Sequence, residues 1–163
     1  METVETKQNT MSVKIIIVGP AASGKTTLAE RMRRNGLFVA QLATTRPKRN
    51  EQDSEYKYTN TDDIINNCQF KVKFNGWWYG LSTLEYLTSD VFIVGPEMLR
   101  QIRIQEPTIP LVVIYLNIPE HIRYERLMKR DMPGDSVIGR IGRDRADFAN
   151  FTDYTIMITD PNF

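Results

Sequence analysis

A run of β-branched residues that leads directly into a glycine-rich turn is the feature that most constrains this chain. Lys14–Val18 reads Lys-Ile-Ile-Ile-Val, without polar alternation. Such a run is typical of a strand that is covered on both faces in a parallel sheet. Residues 19–26 follow as a glycine-rich segment, and residues 27–36 have helical periodicity that ends at Gly36. The sequence therefore predicts a strand, a loop and a helix in immediate succession.

The glycine-rich segment matches the pattern of glycine, four residues, glycine, lysine and serine or threonine, in the context that makes this pattern specific. Its glycines let successive backbone N–H groups point at one anion, and the helix N-terminus adds partial positive charge. Lys25 supplies a cation for the β and γ phosphates, and the Thr26 hydroxyl is placed to ligate Mg²⁺. A turn that merely links a strand to a helix needs neither residue. We predict a P-loop whose nucleoside triphosphate site comprises Gly19, Ala21, Ala22, Ser23, Gly24, Lys25, Thr26 and Thr27.

Strands and helices alternate along most of the chain. After the first helix, the predicted strands are 38–42, 91–94, 111–116 and 155–158, and the predicted helices are 61–67, with a cap at its Thr61-Asp62-Asp63 start, 97–104, 121–129 and 137–148. An interruption is expected at 132–135. Alternating elements indicate an α/β three-layer sandwich with a mainly parallel sheet wrapped by helices.

The charge balance limits the classes of partner. Lys and Arg number 21 against 20 Asp and Glu, a formal net charge of +1, which argues against binding nucleic acid or anionic membranes by bulk electrostatics. No apolar run approaches the roughly 18 residues of a membrane helix. The single cysteine, Cys68, cannot form an intramolecular disulfide. We expect a cytoplasmic protein with no membrane partner, in which one domain at 13–163 follows a polar, disordered leader at 1–12.

The segment Thr44-Thr-Arg-Pro-Lys-Arg49 places two guanidinium groups three residues apart. Arg46 and Arg49 can hold one phosphate between them, because planar guanidinium donors meet phosphate oxygens in pairs. An ordinary solvated loop is the alternative for this segment alone. The Asn-Lys-x-Asp base reader of small GTPases is missing from the sequence, and the chain is short for a motor ATPase. These observations favour a small phosphotransferase.

Several further segments recur in the order of a known family. They are Thr44-Thr-Arg-Pro47 with Arg49, Tyr56-Lys-Tyr58, Gly76-Trp-Trp-Tyr-Gly80, Val91-Phe-Ile-Val94 with Gln101-Ile-Arg103, Arg126-Leu-Met-Lys-Arg130, Val137-Ile-Gly-Arg140, Asp153-Tyr154 and Ile158-Thr-Asp160. Together with the P-loop, they resemble the guanylate kinase family of nucleoside monophosphate kinases over nearly the whole chain from Val13.

The resemblance implies a guanylate kinase-like fold that transfers the γ-phosphate of ATP to a (deoxy)nucleoside monophosphate, with Mg²⁺. Lys25 would hold the donor, and Arg130 and Arg140 would act from a lid at about 126–142. The acceptor would bind in an inserted subdomain at about 43–88, against Arg46, Arg49, Tyr56, Phe70 and Tyr79. The remaining basic residues of the late helices are expected on a solvated face: Arg123, Arg126, Lys129, Arg143 and Arg145.

The sequence departs from the family in the base pocket. Leu42 and Phe70 align with the Ser and Glu that read guanine, and Leu81 takes the place of a small hydroxyl residue. Burying the unpaired donors of guanine against apolar side chains costs about 1–3 kcal/mol each. Guanine specificity is therefore in question. A pyrimidine or a modified base packed on Phe70, Trp77 or Trp78 is one alternative, and an ordinary aromatic core is the other.

Two more departures leave other functions open. The strand at 91–94 lacks the acids that the family carries at its end, and Glu97 is the nearest carboxylate. The sequence stops where the family continues into a further helix, so we expect a partner, such as a second copy, to cover the flank. The alternatives are a kinase of another phosphorylated small molecule, such as a ribosyl bisphosphate, a kinase of a hydroxymethylated base in DNA, and a nucleotide-binding module without turnover.

Overall fold

The computed structural model describes residues 13–130 and 136–163. The predicted leader and the interruption at 132–135 lie outside the described residues. The strands are β1 (Lys14–Val18), β2 (Ala43–Thr44), β3 (Lys57–Tyr58), β4 (Cys68–Phe74), β5 (Trp77–Ser82), β6 (Val91–Ile93), β7 (Leu111–Leu116) and β8 (Ile156–Ile158). The helices are α1 (Lys25–Arg34), α2 (Thr61–Asn67), α3 (Thr83–Thr88), α4 (Pro96–Gln105), α5 (Glu120–Lys129) and α6 (Val137–Phe148).

The first sheet is parallel and has the strand order β6-β1-β7-β8. Successive side chains of β1 point to opposite faces. Ile16 and Val18 pack with Met98, Leu99 and Ile102 of α4, whereas Ile17 packs on the other face with Ala29 of α1. Because β1 is buried on both faces, it needs no polar alternation. The predicted three-layer α/β sandwich is confirmed.

The second sheet has the strand order β3-β2-β5-β4 and comes from the middle of the chain. β4 and β5 form an antiparallel hairpin in which Phe74 is opposite Trp77. The two residues between them, Asn75 and Gly76, have φ angles of 52° and 82°, as a two-residue hairpin turn requires. Helix α2 packs beside this sheet through Ile64, which is fully buried and packs against Cys68 and Ala43.

Two sequence predictions need correction. The predicted strand at 38–42 is reduced to a single bridge between Val39 and Val91. The Gln41 amide donates to the Glu85 carboxylate (3.0 Å) instead of to a neighbouring strand, so the chain leaves the first sheet here and β2 starts in the second. Helix α2 is capped by Asn60, whose side chain accepts from the Asp63 amide, and not by its own Thr61-Asp62-Asp63 start.

Within the part of the chain that the structure describes, none of the helices combines the length and the apolar character that crossing a membrane requires.

Candidate functional site

A cavity of about 910 Å³ lies beside the carboxyl ends of β1 and β6 and reaches across to β4 and β5. The predicted triphosphate site and most of the predicted acceptor site border it. The bordering residues that the sequence predicted are Gly19, Ala21, Ala22, Ser23, Gly24, Lys25, Thr26, Thr27, Arg46, Arg49, Tyr56, Tyr79, Arg130 and Arg140. The structure therefore brings residues from four separate stretches of sequence to one space.

The P-loop conformation depends on its small residues. Ala22 and Gly24 have φ angles of 59° and 96°, which turn neighbouring amides toward a common centre. A Cβ on Gly19 would lie 2.6 Å from the Ser23 hydroxyl and 3.0 Å from the Leu116 carbonyl oxygen. Helix α1 begins immediately after Gly24, so its N-terminus faces the cavity.

The donors of this loop fit a triphosphate with Mg²⁺. The Ser23 hydroxyl is buried and has no hydrogen-bond partner among the described residues, which is costly unless a ligand completes it. The Thr26 side chain is exposed at the first turn of α1. Mg²⁺ is usually held by one or two protein oxygens together with substrate phosphates and water. The Thr26 hydroxyl is such an oxygen.

The Lys25 ammonium folds back onto its own loop. Its Nζ donates to the carbonyl oxygens of Gly19 (2.7 Å) and Pro20 (2.9 Å). Burial lowers the pKa of Lys25 to about 8, and the negative charges of Asp144 and Glu55 oppose that shift only in part. A bound triphosphate would supply the negative charge that the charged form of this lysine lacks.

Asp144 of α6 contacts the P-loop directly, which sequence reasoning missed. Its Oδ2 accepts from the Ala21 amide (3.0 Å) and lies 3.5 Å from Nη1 of Arg123. The Asp144 carboxylate thus takes a hydrogen bond from a P-loop amide that could otherwise donate to a bound anion. Asp144 is 123 residues from Ala21 in sequence, and no local pattern connects them.

Two arginines of α5 support the site from behind, and for these the predicted solvated face is wrong. Arg123 is only 6% exposed, and its Nε donates to the Ile118 carbonyl oxygen (3.1 Å). Arg126 donates to the carbonyl oxygens of Ala22 (3.0 Å) and Pro161 (2.9 Å). Both guanidinium groups hold backbone in place around the P-loop.

At the other end of the cavity, Arg46 is held by a polar and aromatic cage. Its Nη2 lies 3.4 Å from both the Asp53 carboxylate and the Tyr58 hydroxyl. Its guanidinium carbon lies 5.6 Å from the ring centre of Tyr56 and 5.7 Å from that of Tyr58, within cation–π range. The side chain is 12% exposed. Arg46 is therefore a positioned cation.

The charge of this cage is fixed at neutral pH. Burial alone would raise the pKa of Asp53, but the hydrogen bond from Tyr58, the Arg49 amide and the Arg46 guanidinium outweigh burial and hold that pKa at about 2. Burial and the bond to Asp53 together raise the pKa of Tyr58 to about 12.

The backbone next to Arg46 is tied to the second sheet. The Thr44 hydroxyl donates to the Trp78 carbonyl oxygen (2.8 Å) and accepts from the Arg46 amide (3.1 Å). The Thr45 hydroxyl accepts from the Trp78 amide (2.9 Å). Tyr56 and Tyr79 meet edge to face, with ring centres 5.6 Å apart. The Thr-Thr-Arg segment is thus anchored to the second sheet, in contrast to the ordinary solvated loop that was the alternative.

Three other predicted residues have different environments. Phe70 is fully buried, does not border the cavity and packs edge to face on Tyr86 at 5.1 Å. It is a core residue, and the prediction that it contacts the acceptor needs this correction. Trp77 borders the cavity, whereas Trp78 packs against the cluster of Ala43, Ile64 and Cys68.

The predicted lid is described only in part, because residues 131–135 are not. Arg130 and Arg140 border the cavity, and both are near enough to Lys25 to lower its pKa. Glu97 borders the cavity as well, but Arg100 binds its carboxylate through Nε (3.0 Å) and Nη2 (2.5 Å).

A family model described as an AAA domain matches residues 15–145, most of the chain. The chain belongs to this AAA domain family. None of the curated proteins matches it. The AAA domain is similar in structure to the guanylate kinase of Anaplasma phagocytophilum, with a TM-score of 0.67 and 16% identity over 92% of this chain and 77% of that one. It is also similar to a sugar kinase of Janibacter sp. HTCC2649, with a TM-score of 0.51 and 14% identity over 93% and 88% of the two chains.

These comparisons confirm a P-loop kinase fold of guanylate kinase-like architecture for the AAA domain. Membership in the guanylate kinase family itself stays a prediction, as do the substrate and the roles of the site residues.

Proposed function

We propose that the protein is an ATP-dependent, guanylate kinase-like nucleoside monophosphate kinase. The observation that carries the proposal is that a P-loop and a caged arginine, Arg46, face one cavity from two different sheets. A donor triphosphate and an acceptor phosphate need such an arrangement, since phosphoryl transfer depends mostly on positioning and electrostatics.

Each group has a place in this reaction. The amides of the P-loop, Ser23 and Lys25 would bind the donor phosphates, and Thr26 would bind Mg²⁺, which neutralises charge that develops on the phosphates. Arg46, Arg49, Tyr56 and Tyr79 would hold the acceptor phosphate. One of its oxygens would form a bond to the γ phosphorus as the bond to the β,γ-bridging oxygen breaks, giving ADP and a nucleoside diphosphate. Arg130, directly after α5, and Arg140 of α6 would approach the transferred group.

The proposal is tested by coupled ADP release with Mg-ATP and a panel of ribo- and deoxynucleoside monophosphates. Turnover with at least one of them is expected. ATP binding without turnover on the panel would refute the kinase proposal and favour a binding module, or an acceptor such as a base within DNA, which a single-stranded oligonucleotide in the same assay would reveal.

A substitution separates the two halves of the site. Arg46→Ala should raise the acceptor KM by about tenfold or more, the value of a lost charge-assisted hydrogen bond, while the KM for ATP changes little. Arg34→Ala is the matched control, because Arg34 is an exposed arginine at the end of α1 and does not border the cavity. Equal increases in both KM values for Arg46→Ala would contradict the assignment.

A further inference from the structure

One face of the β4–β5 hairpin is formed by aliphatic and aromatic side chains, among which only Tyr79 and Trp77 carry a hydrogen-bonding group. The cross-strand pairs on this hairpin face are Phe70 with Leu81, Val72 with Tyr79, and Phe74 with Trp77. Residues two apart in a strand share a face, so these six side chains form one surface. Phe70 and Leu81 are 0% exposed, whereas Phe74 is 42% and Trp77 39% exposed. The hairpin face is therefore closed at one end and open at the tip.

Apolar residues from other elements complete a slot at the closed end. Leu42, Val94 and Met98 border the cavity, as Val72 does, and each of the three is at least nine-tenths buried. We call these four residues the apolar slot. It is continuous with the space beside Arg46, where the acceptor phosphate would lie.

The carboxylates that border the cavity lie outside the β4–β5 hairpin. Within residues 13–130 and 136–163 they are Glu55, Glu97, Asp144 and Asp147. Glu97 is paired with Arg100 and Asp144 with the Ala21 amide, and Glu55 acts on Lys25. None belongs to the hairpin face or the apolar slot. A ring N–H or amino group that entered the slot would lose its water and would find no carboxylate, hydroxyl or amide side chain among the four slot residues to accept from it.

We propose that the acceptor is a pyrimidine nucleoside monophosphate, preferably one with a 5-methyl group, whose C5–C6 edge enters the apolar slot. This rests on the proposed function. The C5–C6 edge carries only C–H or methyl groups, and the polar groups of the ring then remain toward the open tip, where Asn75 borders the cavity. Each edge of guanine carries a hydrogen-bonding atom, so guanine has no such orientation.

The expected preferences follow from transfer free energies. One buried methyl group gives dTMP about fourfold tighter binding than dUMP. At least one unpaired donor or acceptor makes dGMP bind about tenfold or more weakly than dTMP. The kcat/KM values of the wild-type protein should show the same order.

The two tryptophans provide a binding test that requires no turnover. Trp77 and Trp78 are adjacent on β5, and only Trp77 borders the cavity. The Trp78→Phe variant leaves Trp77 as the single fluorophore, and Trp77→Phe leaves Trp78 as the matched control. We expect saturable quenching of Trp77 by dTMP, with a Kd about tenfold or more below that for dGMP, and no change at Trp78.

The outcomes separate this inference from the proposed function. Quenching of Trp77 by dTMP without phosphoryl transfer would refute the kinase and support the pyrimidine slot. Binding of dGMP as tight as that of dTMP, or dTMP binding that leaves Trp77 emission unchanged, would overturn the slot. Turnover on dGMP in preference to dTMP by the wild-type protein would also overturn it, while leaving the kinase proposal intact.

Discussion

The low pKa of Lys25 predicts that ATP binding takes up a proton at alkaline pH. In the absence of a ligand, burial holds this pKa at about 8. A bound triphosphate should return it to about 10 or above, since an adjacent opposite charge favours the ammonium form. Neutral lysine is therefore converted to ammonium on binding, so proton uptake rises as pH rises through 8.

The size of the effect follows from the fraction of Lys25 that is neutral before binding. That fraction is about 0.1 at pH 7, about 0.5 at pH 8 and about 0.9 at pH 9. Isothermal titration calorimetry of Mg-ATP binding, repeated in buffers of different ionisation enthalpy, measures the protons taken up.

Lys25→Arg is the control, because a guanidinium stays charged over this pH range and so takes up no proton. If the variant binds Mg-ATP, its proton uptake at pH 9 should be smaller than that of the wild type by about 0.8–0.9. Equal uptake by the two proteins, or wild-type uptake that does not rise between pH 7 and pH 9, would refute the reasoning.

Three more predictions follow from other contacts. Asp144→Asn keeps an oxygen that can accept from the Ala21 amide but removes a negative charge beside the proposed donor site. Calorimetry should therefore show that the variant binds Mg-ATP about five- to tenfold more tightly than the wild type. Unchanged or weaker binding would contradict this effect of the Asp144 charge. Gly80→Ala places a Cβ 2.5 Å from the Cys68 sulfur and should lower the free energy of unfolding, measured in urea, by about 1–3 kcal/mol. Gly142→Ala in α6 is the control, because its Cβ would have no neighbouring atom within 4 Å. This second variant should raise the free energy of unfolding by up to about 1 kcal/mol. Asp53, with its pKa near 2, stabilises the fold above pH 4 by at most about 2 kcal/mol, and this contribution is lost as pH falls toward 2. The free energy of unfolding of Asp53→Asn, measured against pH, should lack this loss. Wild-type and variant curves that fall in parallel below pH 4 would contradict the prediction.

The fold was predictable where the signal was local. The apolar run of β1 and the glycine pattern after it are continuous in sequence, so the strand, the P-loop and α1 could be predicted together. The predicted strand at 38–42 is wrong although its composition suits a strand. The Gln41 amide donates to the carboxylate of Glu85, which is 44 residues further along the chain, and not to a neighbouring strand. A tertiary contact overrode the local preference there.

The site was predictable to the same degree. The P-loop residues and Arg46 belong to short motifs, and all of them border the cavity. The contact of Asp144 with the Ala21 amide depends on how α6 packs, which the local sequence does not encode. Phe70 shares a strand face with Val72 and Phe74, but its position two residues further from the tip puts it beneath Tyr86. The alternation of side chains along a strand predicts which face Phe70 is on, but its burial depends on the tertiary packing.

The second sheet comes from one uninterrupted stretch, 43–82, while the P-loop and α6 are encoded before and after it. A recombination event with two junctions would therefore exchange the sheet that carries the proposed acceptor residues and leave the proposed donor site intact. The same boundaries would serve a deliberate graft: replacing this stretch with that of a related kinase should exchange Arg46, Arg49, Tyr56 and Tyr79 together, while Leu42, Val94 and Met98 of the apolar slot stay in place. In a lineage that proceeds in this way, the proposed contacts to the acceptor phosphate can change in a single genetic step while the P-loop is inherited unaltered.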